Sequence, residues 1–110
     1  MRNRFADQHV IELYPAGRAM PQGTVMQVEA LFEEYYHRYH YLSKLTETCR
    51  TRILALNQAG DLMGFASLQQ KGTFAVLSNL LVASKAQGKG YGSALEEVRI
   101  KLSRDLGLVL

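Results

Sequence analysis

Cysteine is almost absent from this sequence: among its 110 residues the single example is Cys49. One cysteine excludes a disulfide within the chain, and no motif marks the base that a catalytic thiol requires. We therefore interpret Cys49 as a small buried hydrophobic side chain, and thiol catalysis is disfavoured.

Long apolar runs are missing as well. No stretch approaches the roughly 20 residues that cross a bilayer, so no membrane partner is expected. The N terminus lacks the apolar core of a signal peptide, which predicts a cytoplasmic protein. Linkers, repeats and low-complexity segments are also absent. At 110 residues the chain is long enough for one core, and we predict a flexible tail at residues 1–8 followed by one domain at 9–110.

The charge is only mildly basic, at +3. The cations are scattered rather than gathered in a stripe, and no stacking platform or recognised motif accompanies them, so nucleic acid is not expected as a partner. They fall in the tail, beside a predicted strand and around a glycine-rich loop: Arg2, Arg4, Arg50, Arg52, Lys85 and Lys89. Cations around that loop suit a phosphate-rich ligand.

Alternating and helical apolar patterns predict the order of elements. A strand at 9–14 precedes a long helix, whose start is indicated by a capping box of Thr24 and Gln27. A short helix at 43–49 leads to strands at 52–57, 62–69 and 74–82, which form an antiparallel meander. Because both faces of the strand at 74–82 are apolar, helices are expected on both sides of the sheet. A second long helix ends at Gly107, and residues 108–110 open a parallel strand.

The first long helix has an apolar stripe and a polar face. Its tyrosines are interpreted as core residues with hydroxyls reaching the edge, in preference to cofactor contacts: Tyr35, Tyr36 and Tyr39. The opposite face carries Glu33, His37 and His40, at a spacing that suits a metal ion. A solvated face is the simpler interpretation, so no metal is expected, although this face is also a candidate for shaping an acceptor site.

A glycine-rich loop joins the third meander strand to the second long helix. It reads Gln-Gly-Lys-Gly-Tyr-Gly-Ser over residues 87–93. Three glycines in five residues let the backbone approach a ligand closely, and the helix start favours negative charge, which together predict a pyrophosphate site. A P-loop would need Ser or Thr after Gly88-Lys89, and a dinucleotide fingerprint would need other spacing. A turn that binds nothing remains the alternative.

Read as Gln-x-x-Gly-x-Gly, Gln87, Gly90 and Gly92 resemble the acyl-CoA-binding signature of the GCN5-related N-acetyltransferases. The flanking residues are similar to that family too: the preceding strand ends Leu80-Leu81-Val82 and the helix begins Ser93-Ala94-Leu95. The turn and strand from Gly60 to Ala66, with a Gly-Phe step, also fit. The resemblance covers roughly residues 9–110.

This resemblance implies an α/β (α+β) fold with a mixed, mostly antiparallel central sheet and helices on both faces, short at its C-terminal end. It implies transfer of an acetyl group from acetyl-CoA directly to a primary amine on a small molecule or a protein, without a metal. Lys89 would either add charge near a phosphate or be a solvated loop lysine. The implied cofactor-binding residues are Leu80, Leu81 and Val82 along the pantetheine arm, and Gln87, Gly88, Lys89, Gly90, Tyr91, Gly92 and Ser93 around the pyrophosphate.

The catalytic groups are less evident. Ser78 and Asn79 interrupt an otherwise apolar strand. Either they are paired structurally, or they lie at the bulge that the resembled family has beside its active site. The strand holds no carboxylate, which leaves Glu29, Glu33 or a water held by Ser78 or Asn79 as candidates for the base.

Members of the resembled family usually continue through another helix and two more strands, often with a tyrosine that protonates the departing thiolate. The chain is therefore expected to be either a fragment of a longer acetyltransferase or a natural short form. An uncovered edge at residues 108–110 invites pairing, so a homo-oligomer or a partner protein is expected to cover it. The alternative function is a degenerate fold that serves as a binding or structural module.

Overall fold

The computed structural model describes residues 9–36 and 50–109. The predicted tail at 1–8, the predicted helix at 43–49, His37, His40, Tyr39 and Cys49 lie outside these residues, as do the side chains of Tyr36 and Ser78. No described helix is long and apolar enough to span a bilayer. The main elements are β1 (Val10–Tyr14), α1 (Gln22–Tyr36), β2 (Thr51–Leu56), β3 (Leu62–Lys71), β4 (Phe74–Val82) and α2 (Tyr91–Asp105).

The four strands form one antiparallel sheet in the order β1-β2-β3-β4. The predicted meander of β2, β3 and β4 is confirmed, and β1 adds to its far edge. On the other side, Val109 forms a parallel bridge with Phe74. This bridge confirms the predicted start of a parallel strand after α2, and it makes the arrangement mixed but mostly antiparallel.

The two helices pack on opposite faces of the sheet, as predicted. The ring of Phe65 in β3 meets Phe32 of α1 edge to face, with centroids 5.3 Å apart. A Cβ on the preceding residue, Gly64, would lie only 2.8 Å from Leu95 Cδ1 of α2 and 3.1 Å from the Leu81 carbonyl oxygen. Because successive strand residues face opposite sides, α1 and α2 sandwich β3, and Gly64 permits the close approach of α2.

Helix α1 begins two residues before the predicted capping threonine. The carbonyl of Pro21 accepts the first helical bond, from the Val25 amide at 3.0 Å. The predicted capping box is therefore wrong, because Thr24 already lies inside the helix. The Gln27 side chain instead accepts a hydrogen bond from the Leu62 amide at 3.0 Å, which attaches α1 to the start of β3.

Helix α2 begins at Tyr91, two residues before the predicted start, and ends at Asp105, with the predicted capping glycine, Gly107, directly after its C-cap Leu106. The Gly107 amide donates to the Arg104 carbonyl at 2.9 Å, and the Leu108 amide donates to the Ser103 carbonyl at 2.8 Å. This pair of bonds is a Schellman motif, which ends the helix and directs the chain toward the bridge at Val109.

Arg52 belongs to the core rather than to the scattered surface cations. It is fully buried in β2, and its guanidinium donates to the carbonyls of Tyr14, Pro15 and Arg18. A buried cation is stable only with such partners. Arg52 therefore fixes the turn that follows β1.

The expected burial of both faces of β4 holds at one end of the strand only. Leu81 is 7% exposed, whereas Phe74 is 59% exposed and Val76 is 38% exposed. The apolar side chains of Phe74 and Val76 therefore remain at the surface at the beginning of β4.

Candidate functional site

An open cleft of about 430 Å³ lies where the end of β4, the last turn of α1 and the start of α2 meet. Eight of the predicted cofactor-binding residues line it: Leu80, Val82, Gln87, Gly88, Gly90, Tyr91, Gly92 and Ser93. The other lining residues are Tyr35 and Ala86. Residues separated by nearly 60 positions in sequence therefore share one surface.

Two predicted residues lie outside the lining. Leu81 turns its side chain into the core on the opposite face of the sheet from the side chains of Leu80 and Val82. Lys89 is exposed beside the cleft, and its carbonyl lies 3.1 Å from His9 Nε2. The side chain of Leu81 therefore forms no part of the cleft. Lys89 lies at the rim and does not line the cleft.

The outer edge of β4 presents main-chain groups toward the cleft. The Ala83 amide donates to the Met63 carbonyl of β3 at 2.8 Å, so Ala83 faces the sheet. In an antiparallel pair, alternate residues direct their amide and carbonyl groups away from the partner strand. Val82 and Leu80 therefore direct theirs to the outer edge, where no described strand pairs with them.

The beginning of the same edge is closed by the residues after α2. The Ala75 amide donates to the Val109 carbonyl at 2.8 Å, and the Val109 amide donates to the Thr73 carbonyl at 2.8 Å. The edge is thus paired at Phe74, whereas no described strand pairs with it at Leu80 and Val82, and this end is open to a further strand. An extended ligand has main-chain partners only at the open end.

A bulge separates these two ends. Ser67 pairs with Ser78 and Ala66 pairs with Leu80, so Asn79 is an additional residue in β4. Asn79 has φ 55°, the left-handed conformation that asparagine adopts more readily than most residues. Ser78 and Asn79 therefore lie at a bulge, the position that the family resemblance implied. Asn79 is half-buried, and the Ser78 side chain is outside the described part of the structure.

A buried arginine supports this bulge from the α2 face. Arg99 is 6% exposed, and its Nη1 donates to the carbonyl of Ser67, opposite the bulge, at 3.4 Å. Its Nη2 donates to Glu96 Oε2 at 2.5 Å. The apolar pattern of α2 does not predict the burial of Arg99 because a charged residue does not count as part of an apolar stripe. Its spacing of four from Leu95 is the signal that identifies it.

The loop after β4 brings backbone amides to the cleft. Gly88 and Gly90 have φ 78° and 87°, which side chains with a Cβ rarely adopt. Gly90 is the N-cap of α2 and provides no side-chain cap, so the first amides of the helix are not satisfied by a capping side chain. Amides of Tyr91, Gly92 and Ser93 thus occupy a helix N terminus that favours an anion.

His9 supports the loop from the other edge of the sheet. Its ring contacts the Tyr91 ring in a tilted arrangement with centroids 4.3 Å apart, and its Nε2 lies 3.1 Å from the Lys89 carbonyl oxygen. No local sequence pattern indicates this contact because 80 residues separate the two segments. The contact holds the loop against the start of β1.

Tyr35 is not the core residue that the apolar stripe predicted. It is 39% exposed, and its hydroxyl donates to the Val82 carbonyl in the cleft. The Tyr35 hydroxyl oxygen also accepts a hydrogen bond, from Gln87 Nε2 at 2.9 Å. The tyrosine therefore joins α1 to both the strand edge and the glycine loop. An amphipathic pattern cannot distinguish a buried ring from one at the end of the apolar face.

Carboxylates are kept apart from the cleft in the described structure. Neither Glu29 nor Glu33 lines it. Glu34 accepts a hydrogen bond from the Ser84 amide at 2.7 Å, and bonds from the Ser84 hydroxyl and amide, with the nearby Lys85 charge, lower the pKa of Glu34. A lowered pKa makes Glu34 a weak base. The described residues also contain no cluster of three metal-ligating side chains.

The fold is that of acetyltransferases: a bulged, mostly antiparallel sheet lies between two helices, and a glycine loop leads from β4 to the second helix. The sequence profile of the acetyltransferase (GNAT) family matches residues 19–110, and the chain belongs to this family. A comparison with curated protein sequences gave no significant match.

Solved structures show the same fold. The IAA acetyltransferase from Bacillus cereus ATCC 14579 matches 91% of this chain and 61% of its own chain, with a TM-score of 0.67 and 22% identity. An aminoglycoside 6'-N-acetyltransferase complexed with coenzyme A matches 89% and 57%, with a TM-score of 0.74 and 18% identity. A ribosomal-protein alanine N-acetyltransferase from Escherichia coli matches 91% and 62%, with a TM-score of 0.73 and 17% identity. The chain spans about three fifths of the length of each.

Proposed function

We propose that this domain binds acetyl-CoA in the cleft and transfers its acetyl group directly to a primary amine. The observation that carries the proposal is the convergence of two kinds of main-chain donor on one cleft. The outward groups of Leu80 and Val82 lie along one wall, and the amides of residues 88–93 lie at its end. Coenzyme A has a peptide-like arm and a diphosphate in that order.

The two halves of the cofactor match the two parts of the cleft chemically. The diphosphate would accept hydrogen bonds from amides of the loop and of the first turn of α2, where the helix dipole adds to the attraction. The pantetheine arm contains two amide groups, which would pair with the open end of β4 as another strand does. Lys89 at the rim contributes positive charge near the phosphates.

The reaction forms a bond between the amine nitrogen and the acetyl carbon and breaks the bond between that carbon and sulfur. The amine loses one proton, and the departing thiolate gains one. An outward amide of β4 would donate a hydrogen bond to the thioester oxygen as negative charge develops there. Because no described carboxylate lines the cleft, we assign deprotonation of the amine to a water held at the bulge by Ser78 or Asn79.

The acceptor is an amine on a small molecule or on a protein. The similar structures include one enzyme whose name gives an aminoglycoside and another whose name gives a ribosomal protein. Both kinds of acceptor are therefore compatible with this fold.

The absence of a carboxylate from the described cleft also favours a second candidate, a domain that binds the cofactor without catalysis. Isothermal titration with acetyl-CoA tests the shared part of both proposals, and no saturable binding would refute both. Thiol release with a panel of amines, polyamines and peptides then separates them. Release above the rate without amine supports the enzyme, whereas saturable binding with no release for any amine in the panel supports the module.

We further propose that a second copy or a partner protein covers the outer edge beside Val109. Phe74 is 59% exposed and Val109 is 52% exposed, and together they leave an apolar strand edge at the surface. Analytical ultracentrifugation tests self-association. A strictly monomeric protein at high micromolar concentration would exclude the second copy.

A further inference from the structure

Resting on the proposed function, we infer that Tyr35 is a latch: its hydroxyl holds the Val82 carbonyl that the pantetheine arm needs, and cofactor binding must displace it. The inference begins with the direction of the Val82 carbonyl. The bond from the Ala83 amide to Met63 directs Val82 toward the outer edge, and there the Tyr35 hydroxyl donates to the Val82 oxygen.

Tyr35 occupies part of the cleft in addition to engaging the Val82 carbonyl. Its ring belongs to the lining of the cleft, between the end of α1 and the open end of β4. Its oxygen also accepts a hydrogen bond from Gln87 Nε2 at 2.9 Å. The two bonds make a bridge from α1 to Val82 and Gln87. An arm laid along the strand edge requires the same carbonyl and the same space.

The Tyr35 hydroxyl lies where water can replace its hydrogen-bond partners. Tyr35 is 39% exposed, so water can satisfy the hydroxyl and the Val82 carbonyl when they separate. The bond is therefore reversible. Tyr35 therefore makes the free energy of cofactor binding less favourable by the free energy of the hydrogen bonds that binding breaks.

The consequence is that removing only the hydroxyl strengthens binding of the complete cofactor. A neutral hydrogen bond of ordinary net strength corresponds to an affinity change of about two- to ten-fold. We expect Tyr35→Phe to lower the Kd for acetyl-CoA by this factor. Adenosine 3′,5′-bisphosphate lacks the pantetheine arm, so its Kd should be the same for Tyr35→Phe and the unaltered protein.

Tyr14→Phe is the matched control. Its hydroxyl also donates a hydrogen bond, to Glu12 at 2.7 Å, but Tyr14 does not line the cleft. Titration calorimetry of the three proteins with both probes gives the test, and thermal melts establish that each variant is folded. Tyr14→Phe should change neither affinity.

Tighter binding of acetyl-CoA alone by Tyr35→Phe supports the latch. An unchanged or weaker affinity for acetyl-CoA, or an equal gain for both probes, overturns it while leaving the proposed function in place. If the unaltered protein binds neither probe, the proposed function fails first, and the latch fails with it.

Discussion

Gly88 and Gly60 provide a matched pair of substitutions that separates binding from folding. Both have left-handed backbones, with φ 78° and 89°, and a Cβ on either would meet no atom within 4 Å. Gly88 lines the cleft, whereas Gly60 lies in the turn between β2 and β3. Replacement by alanine therefore introduces the same backbone strain at both positions, but only one of the methyl groups lies in the cleft.

The strain sets the expected loss of stability. A residue with a Cβ in the left-handed region is less favourable by about 1–2 kcal/mol, so Gly88→Ala and Gly60→Ala should lower the free energy of unfolding equally. In a domain of this size such a change lowers the Tm by roughly 4–8 °C. Thermal unfolding monitored by circular dichroism measures this decrease in Tm.

The binding effect should differ between the two variants. A methyl group at Gly88 keeps the diphosphate away from at least one amide, and a hydrogen bond to a charged group contributes about 1.5–3 kcal/mol. Gly88→Ala should therefore bind acetyl-CoA about ten- to a hundred-fold more weakly, as measured by titration calorimetry, while Gly60→Ala binds normally. Equal affinities in the two variants would refute the assignment of this loop.

Three further predictions concern stability. Arg52→Met removes the donor to three carbonyls and should lower the free energy of unfolding in urea by about 1–3 kcal/mol; an unchanged midpoint would show that water replaces it. Gly64→Ala should lower the same quantity by about 1–3 kcal/mol because its methyl overlaps α2, and a stabilised protein would contradict that packing. The pKa of Glu34 is lowered from 4.5 by Ser84, so its stabilising contribution is complete above pH 4.5 and is lost as the pH falls through the lower folded value. Glu34→Gln should therefore lose less stability than the unaltered protein between pH 6 and pH 3, and identical losses would contradict the contact.

Patterns within single elements predicted most of the architecture. The meander, the helices on both faces and the termination of α2 just before Gly107 each follow from apolar periodicity or local turn chemistry. Most of the cleft lining was predictable because every lining residue except Tyr35 lies close in sequence, from the end of β4 to the first turn of α2. The bulge at Asn79 was anticipated from the family resemblance together with the polar interruption of an apolar strand.

Contacts between distant segments escaped prediction. Tyr35 reaches Val82, and His9 reaches the loop at Lys89, only because the sheet and α1 bring these segments together. Arg52 and Arg99 are buried although their residue type favours the surface, because backbone carbonyls are available to each guanidinium. Burial of this kind depends on geometry that appears only after folding, so composition and periodicity do not reveal it.

The most direct test of the account follows the backbone amides during a titration with coenzyme A. In ¹H–¹⁵N spectra, the amide signals of Gly88, Gly90, Gly92 and Ser93 should shift together and saturate at one Kd, along with those of Leu80 and Val82. The amide of Gly60 should stay in place. Saturating shifts confined to another face of the protein, or no shifts at millimolar coenzyme A, would contradict a diphosphate held by the main chain of this loop.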